Sequence, residues 1–185
     1  MLDTAAKMDY NEEKQEAIAM AGQEKATKNP VVLITGGSSG IGAATAAALL
    51  ARGCTVYEIS RHPAEDGASA PIHLTGDVTD PDSLTAAVDA LLAREGRLDI
   101  LINNAGFGIS GSAEHTAPAD AERQLAVNFL GCAAMCRACL PALRQSRGRI
   151  VNLSSVAAVV PIPFQAFYSA SKAAINAFTL ALIGE

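Results

Sequence analysis

Residues 30–42 read PVVLITGGSSGIG. Val31, Val32, Leu33 and Ile34 form a short continuous apolar run, the pattern of a parallel strand covered on both faces. Thr35, Gly36, Gly37, Ser38, Ser39 and Gly40 then make a turn, and 41–52 (IGAATAAALLAR) is rich in helix-favouring residues. Strand, glycine turn and helix in that order make a phosphate site. Glycine permits positive φ and close backbone approach, and a helix N-terminus offers unpaired N–H groups with a partial positive charge. The glycines fall at 36, 40 and 42 and do not match G-x-G-x-x-G, so on this stretch alone an ordinary strand-to-helix turn stays open.

More motifs follow in order: Asp77 in GDVTD, the run Asn103-Asn104-Ala105-Gly106, Asn128, Ser155, and Tyr168 with Lys172 in YSASK. Together with TGGSSGIG they resemble the short-chain dehydrogenase/reductase family, from about Val31 to the C-terminus. The resemblance implies an α/β protein with a Rossmann-like doubly wound parallel sheet in three α/β/α layers. It implies cofactor contacts from Gly36, Ser38, Ser39, Gly40, Ile41 and Gly42. It places Asp77 on the adenine amino group and Val78 on the adenine ring, and assigns Asn104, Ala105 and Gly106 to the cofactor wall.

Gly53 is a C-cap for the first helix, and 54–60 (CTVYEIS) is the second strand. In a dinucleotide-binding fold the C-terminal edge of that strand faces the adenosine ribose. An acid there accepts hydrogen bonds from a 2′-hydroxyl and repels a 2′-phosphate; a base does the reverse. Ser60 stands where NAD-preferring relatives carry the acid, and Arg61 follows. The expectation is NADP(H), with NAD(H) left open; Glu58 is a weaker candidate for a ribose contact. Residues 62–70 (HPAEDGASA) are too short and too rich in Gly and Pro for a full crossover helix.

Residues 71–76 are the third strand. Asp80 is a good N-cap with Pro81 at N1, and the helix that follows runs to about Glu95 with Leu84, Val88, Leu91 and Leu92 as its buried stripe. Residues 98–103 are the fourth strand and 107–117 a loop at the mouth of the site. Residues 118–146 read as one long helix with a break near Asn128, an amide in an otherwise apolar stretch that must find partners. Residues 149–154 are the fifth strand. Pro161 and Pro163 force an irregular loop, and 164–183 carries Tyr168, Lys172 and a long apolar helix.

Tyr168 and Lys172 are four apart on a helix, so their side chains share a face. A free tyrosine is a poor base at neutral pH, and a nearby ammonium favours the phenolate. Alone such spacing is more often a surface helix pair; placed after this strand and alongside this glycine loop it reads as an acid/base device. The family pattern adds Ser155, chosen over Ser154, to hold the substrate oxygen, and Asn128, which distorts its helix and holds a water in a relay toward Lys172. Lys172 also reaches the nicotinamide ribose. The reaction implied is reversible hydride transfer between NADP(H) and a carbonyl or secondary alcohol, with Tyr168 as acid/base. The other class of function is a non-catalytic nucleotide-binding or interaction protein on the same fold.

The 185 residues suffice for one domain, and half are hydrophobic, so the chain is globular. A formal net charge of −5 disfavours a nucleic-acid partner. No continuous apolar run approaches a membrane span of about 20 residues, and the polar N-terminus lacks a signal peptide. The expected compartment is the cytosol. Residues 1–29 read as a flexible or weakly helical extension, with Met20 as an alternative start. Cys132, Cys136 and Cys139 are spaced C-x3-C-x2-C, but on a helix they make one packing stripe, so no metal or cluster is expected. The family normally continues past Glu185 with two more strands, so a partial sequence is expected, with the fifth strand left as an edge. In the full-length form the resemblance implies a homodimer or homotetramer.

Overall fold

A computed structural model of the protein describes residues 29–63 and 70–185. The N-terminal extension up to residue 28, the start at Met20 and most of the 62–70 connection lie outside the described residues. The sheet is five-stranded and parallel: β1 (Val31–Thr35), β2 (Thr55–Ser60), β3 (Ile72–Thr75), β4 (Ile100–Asn103) and β5 (Arg149–Asn152). Their spatial order is β3-β2-β1-β4-β5. The chain starts in the middle, moves outward through β2 and β3, then crosses β1 to lay down β4 and β5. Strand order therefore reverses between β1 and β4, and a crevice opens beyond their C-terminal ends.

β1 is buried along its whole length, as the continuous apolar run requires. Its side chains alternate between two cores. Val31 and Leu33 join Tyr57, Ile59 and Leu101 under α2 (Pro81–Glu95) and α4 (Gly131–Ser146). Val32 and Ile34 join Val56 and Ile102 against Ala46 of α1 (Gly40–Leu50). Each fully buried aliphatic side chain in these layers contributes about 2 kcal/mol of hydrophobic stabilisation. Phe178 and Leu182 of α5 (Ala166–Leu182) pack on the first core.

The helix boundaries have local causes. Asp80 Oδ1 accepts from the Asp82 and Ser83 N–H groups at 3.1 and 3.4 Å, Pro81 opens α2, and Gly96 closes it at φ 69°. Leu84, Val88 and Leu91 are buried as expected; Leu92 is half-buried. The expected long helix is α3 (Pro118–Leu125), a π-helical turn at Ala126–Leu130, and α4, so the break falls on Asn128. Pro118–Ser146 is long and apolar enough by composition to cross a membrane. Here, however, Met135, Cys136, Cys139 and Leu143 are packed on the sheet. The three cysteines of this helix are thus core residues, and burial pushes the Cys139 thiol up to about 12.

β4 begins two residues later than the sequence suggests. Leu98 is buried in the core, but Asp99 turns its carboxylate to the start of β1. Its Oδ2 accepts from the Val31 N–H at 2.9 Å while Oδ1 pairs with Arg97. β5 ends at Asn152 and forms one edge of the sheet among the described residues, with Val151 exposed.

Tyr57 ties β2 to the last turn of α2, its hydroxyl donating to Glu95 Oε1 at 2.6 Å. Burial and this carboxylate raise the phenol to about 12. The folded protein therefore holds that proton after the unfolded chain, with a pKa near ~10, has lost it. The hydroxyl's contribution is complete below that pH and disappears as pH rises toward about 12. Tyr57→Phe should cost about 1 kcal/mol at neutral pH. In urea denaturation the gap between the two proteins should close above about pH 10. A gap that is constant with pH would show that the hydroxyl's titration is not linked to folding.

Candidate active site

One cleft of roughly 1000 Å³ lies over the C-terminal ends of β1, β2, β3 and β4. Its floor is the glycine turn. Gly36 (φ 65°) and Gly40 (φ 53°) take the left-handed conformations that the glycine pattern predicts. Ser39 precedes α1 with extended backbone, and its side chain makes no capping bond among the described residues. The first-turn amides of α1 therefore remain for a ligand's phosphate groups. Gly36, Ser38, Ser39, Gly40 and Ile41 all line the cleft.

Gly42 has a different job. A Cβ there would lie 2.1 Å from the Gly36 carbonyl oxygen and 2.5 Å from Asn104 Nδ2. It lets α1 close on the turn and does not line the cleft. Asn104 locks this corner: Nδ2 donates to the Thr35 and Gly36 carbonyls, both at 3.0 Å. In return Thr35 Oγ1 accepts from the Asn104 and Ala105 N–H groups, both at 3.0 Å. Asn104, Ala105 and Gly106 then form one wall.

At the other end, Ser60, Arg61, Asp77 and Val78 line the cleft as the sequence suggests. Asp77 Oδ1 accepts from the Thr79 N–H at 2.9 Å and its hydroxyl at 2.7 Å, and the backbone bond leads in holding the carboxyl below its ordinary value. Asp77 is thus a turn residue that also faces the cleft. Val78 is held close to α4 because Gly131 lacks a side chain: a Cβ there would be 2.8 Å from Val78 Cβ. Glu58 is buried, facing His73 and not the cleft.

Tyr168 and Lys172 line the far wall from one face of α5. Lys172 Nζ sits 5.9 Å from the Tyr168 ring centroid and donates to the Leu153 carbonyl at 2.8 Å. Burial holds its pKa below the ordinary lysine value. Ser155 and Asn128 stand just outside the wall. Ser155 Oγ accepts from the Ala157 N–H at 3.1 Å, capping a single 3-10 turn (Val156–Ala158); this uses a lone pair and leaves the O–H to donate. Ser154 lines the cleft, but its hydroxyl donates to the Lys172 carbonyl at 3.3 Å.

Asn128 is fully buried. Its Oδ1 accepts from the Phe107 N–H at 3.0 Å, and Nδ2 donates to the Phe107 carbonyl at 2.9 Å and to Ser171 Oγ at 3.0 Å. The amide therefore grips the strip that follows Gly106. Gly106 has to be small, since a Cβ would lie 3.1 Å from Asn128 Oδ1 and 3.6 Å from Lys172 Nζ. Phe107 lines the cleft, as expected of the loop it begins, and sequence reading missed several other wall residues: Arg123, Val127, Leu153 and Gln165. None carries a motif of its own. Arg123 stacks over the Phe107 ring at 5.1 Å, and Gln165 Nε2 donates to Ser110 Oγ at 3.2 Å.

Residues 30–185 match the family model described as short chain dehydrogenase. The chain belongs to that family. It is 44% identical over 153 residues to the 3-ketodihydrosphingosine reductase of Bacteroides thetaiotaomicron, covering 82% of this chain and 56% of that protein. It is 37% identical over 158 residues to the L-fucose dehydrogenase of Mus musculus, covering 82% and 58%. Among solved structures, the ligand-free aldohexose dehydrogenase of Thermoplasma acidophilum matches with a TM-score of 0.80 and 31% identity, over 84% of this chain and 60% of that one. The chain thus spans a little over half the length of the curated relatives it matches.

The Gly42 contacts give a direct test of the turn. Gly42→Ala should cost about 1–3 kcal/mol in urea denaturation, as overpacking against backbone does. Dinucleotide binding should weaken at least about tenfold. Unchanged stability and binding would mean that α1 does not need its close approach to Gly36.

Proposed function

We propose that the protein acts as an NADP(H)-dependent oxidoreductase, moving a hydride between the nicotinamide and a carbonyl or secondary alcohol. The observation that carries this reading is one continuous cleft, with a glycine turn and helix N-terminus at one part and the Tyr168–Lys172 pair at another. The residues fit a dinucleotide: unspent amides at α1 for the pyrophosphate, Asp77 and Val78 at the adenine end, Gly106 and Lys172 at the nicotinamide ribose. The bound coenzyme supplies the hydride. Tyr168 exchanges the proton with the substrate oxygen, and the buried Lys172 ammonium favours the phenolate. Ser155 donates its O–H to the same oxygen as charge builds on it. Asn128 holds the Gly106–Phe107 wall and, with both amide hydrogens spent, supports a water relay toward Lys172 only through remaining acceptors.

Arg61 on the cleft rim supports NADP(H) over NAD(H). The relatives named for ketone reduction and sugar dehydrogenation support a carbonyl or alcohol substrate. Val156, Val159, Val160 and Phe164, exposed beside Ser155, favour one with an apolar portion. Exposed Leu180 and Ile183 on and just beyond α5 fit a homodimer or homotetramer in the full-length form.

Tyr168→Phe should lower turnover of a carbonyl panel with NADPH by about 10²–10⁴-fold while coenzyme binding persists. Arg61→Ala should weaken NADPH about tenfold and leave NADH nearly unchanged. Coenzyme binding with turnover indifferent to Tyr168 would make this a nucleotide-binding protein and not an oxidoreductase.

A further inference from the structure

Glu58 lies on the α1-facing side of β2, between Val56 and Ser60 in the alternating pattern, where an apolar side chain is expected. It is only 1% exposed. Its Oε1 meets His73 Nδ1 and accepts from Ser60 Oγ at 3.2 Å. Its Oε2 has no partner among the described residues. Room for it comes from Gly37, where a Cβ would fall 2.6 Å from Glu58 Cβ. The acid therefore sits directly behind the glycine turn, one side chain from the cleft wall at Ser60. A buried carboxyl with an unmatched oxygen is costly, and nothing in the packing of β2 calls for one.

We propose that Glu58 is a specificity-determining residue: acting from behind Ser60, it opposes Arg61 in the choice between coenzymes that carry a 2′-phosphate and a 2′-hydroxyl. The proposal rests on the dinucleotide reading above. Ser60 has two acceptors for its single hydroxyl hydrogen, the exposed His62 carbonyl at 2.6 Å on the cleft rim and the buried Glu58 Oε1 at 3.2 Å behind it. With that hydrogen taken by either acceptor, the hydroxyl has only lone pairs to offer a ligand in the cleft. These accept from a ribose 2′-hydroxyl and repel a 2′-phosphate. Where Glu58 is ionised its buried charge adds to the repulsion, and a protonated His73 on Oε1 offsets it. Arg61, on the same rim, does the reverse.

The test is a fluorescence titration of the full chain with NADPH and with NADH, on the wild type, Glu58→Gln and Ser60→Ala. Glu58→Gln should tighten NADPH relative to NADH by about fivefold. Ser60→Ala should weaken NADH more than NADPH. An unchanged ratio in Glu58→Gln, with both affinities moved by one factor or not at all, would reduce Glu58 to scaffold and overturn the proposal. Should circular dichroism show Glu58→Gln unfolded, Ser60→Ala decides, and an equal effect on both coenzymes overturns it. A wild type that prefers NADH would count against the NADP(H) reading alone, because the Glu58 proposal concerns the shift in the ratio.

Discussion

The lock between the tips of β1 and β4 is what the cleft depends on. Parallel neighbours leave their C-terminal ends as separate loops, and nothing in a β-ladder fixes those loops to each other. Here Thr35 and Asn104 exchange side chain for backbone in both directions, with hydrogen bonds of 3.0 Å. Each is worth about 1 kcal/mol net, and a buried amide left unmatched costs more than that. The lock sets the spacing of the glycine turn and the Asn104–Gly106 wall, which face each other across the switch point of the sheet. Gly42 is the steric side of the same device, because α1 can begin where it does only if no side chain stands between it and the Gly36 carbonyl.

The opposite wall is held by a second amide. Asn128 satisfies both backbone groups of Phe107 and reaches Ser171, whose hydroxyl donates to the Tyr168 carbonyl at 2.7 Å. The π-helical turn at Ala126–Leu130 gives Asn128 that orientation, so the irregularity in the long helix is how α3, α5 and the strip after β4 are joined. The same strip passes close to Lys172 at Gly106, whose small size spares a tight contact with Asn128 Oδ1. Positioning of the tyrosine–lysine pair thus reaches back, through backbone hydrogen bonds, to an amide in another helix.

Much of this was legible in the sequence because the signals were local. The apolar run at Val31–Ile34, the glycines at 36 and 40, Asp80 before Pro81 and the lone amide at Asn128 each dictate a conformation within a few residues. What was not legible depends on distant neighbours. Gly131 exists for Val78, Gly37 for Glu58, and Phe107 is a wall residue only because Asn128 grips its backbone. The side-chain bond from Asp99 to the Val31 N–H, at the start of β4, is likewise invisible until β1 and β4 are known to be neighbours. Its spacing to Ser60 makes Glu58 a weaker candidate for a ribose contact, and the β2–β3 register, which sets it opposite His73, shows what it meets instead.

The two parts of the cleft are built to different standards, and this bears on where specificity resides. The end at the glycine turn is made from strand tips and a helix start, tied by the part-buried hydrogen bonds of Thr35 and Asn104. Outside the wall that carries Tyr168, two loops are joined by the Gly111 N–H to the Phe164 carbonyl at 2.8 Å and by Gln165 to Ser110. Phe164 itself takes a left-handed φ of 63°, a conformation costly for a bulky residue, while its ring stays exposed. Val156, Val159 and Val160 are exposed with it. Apolar surface of this kind gains free energy whenever something apolar covers it. On the reading proposed above, selection among substrates would belong to these loops, while coenzyme contacts would come from the strand tips and the proton path from α5 and the π-helical turn.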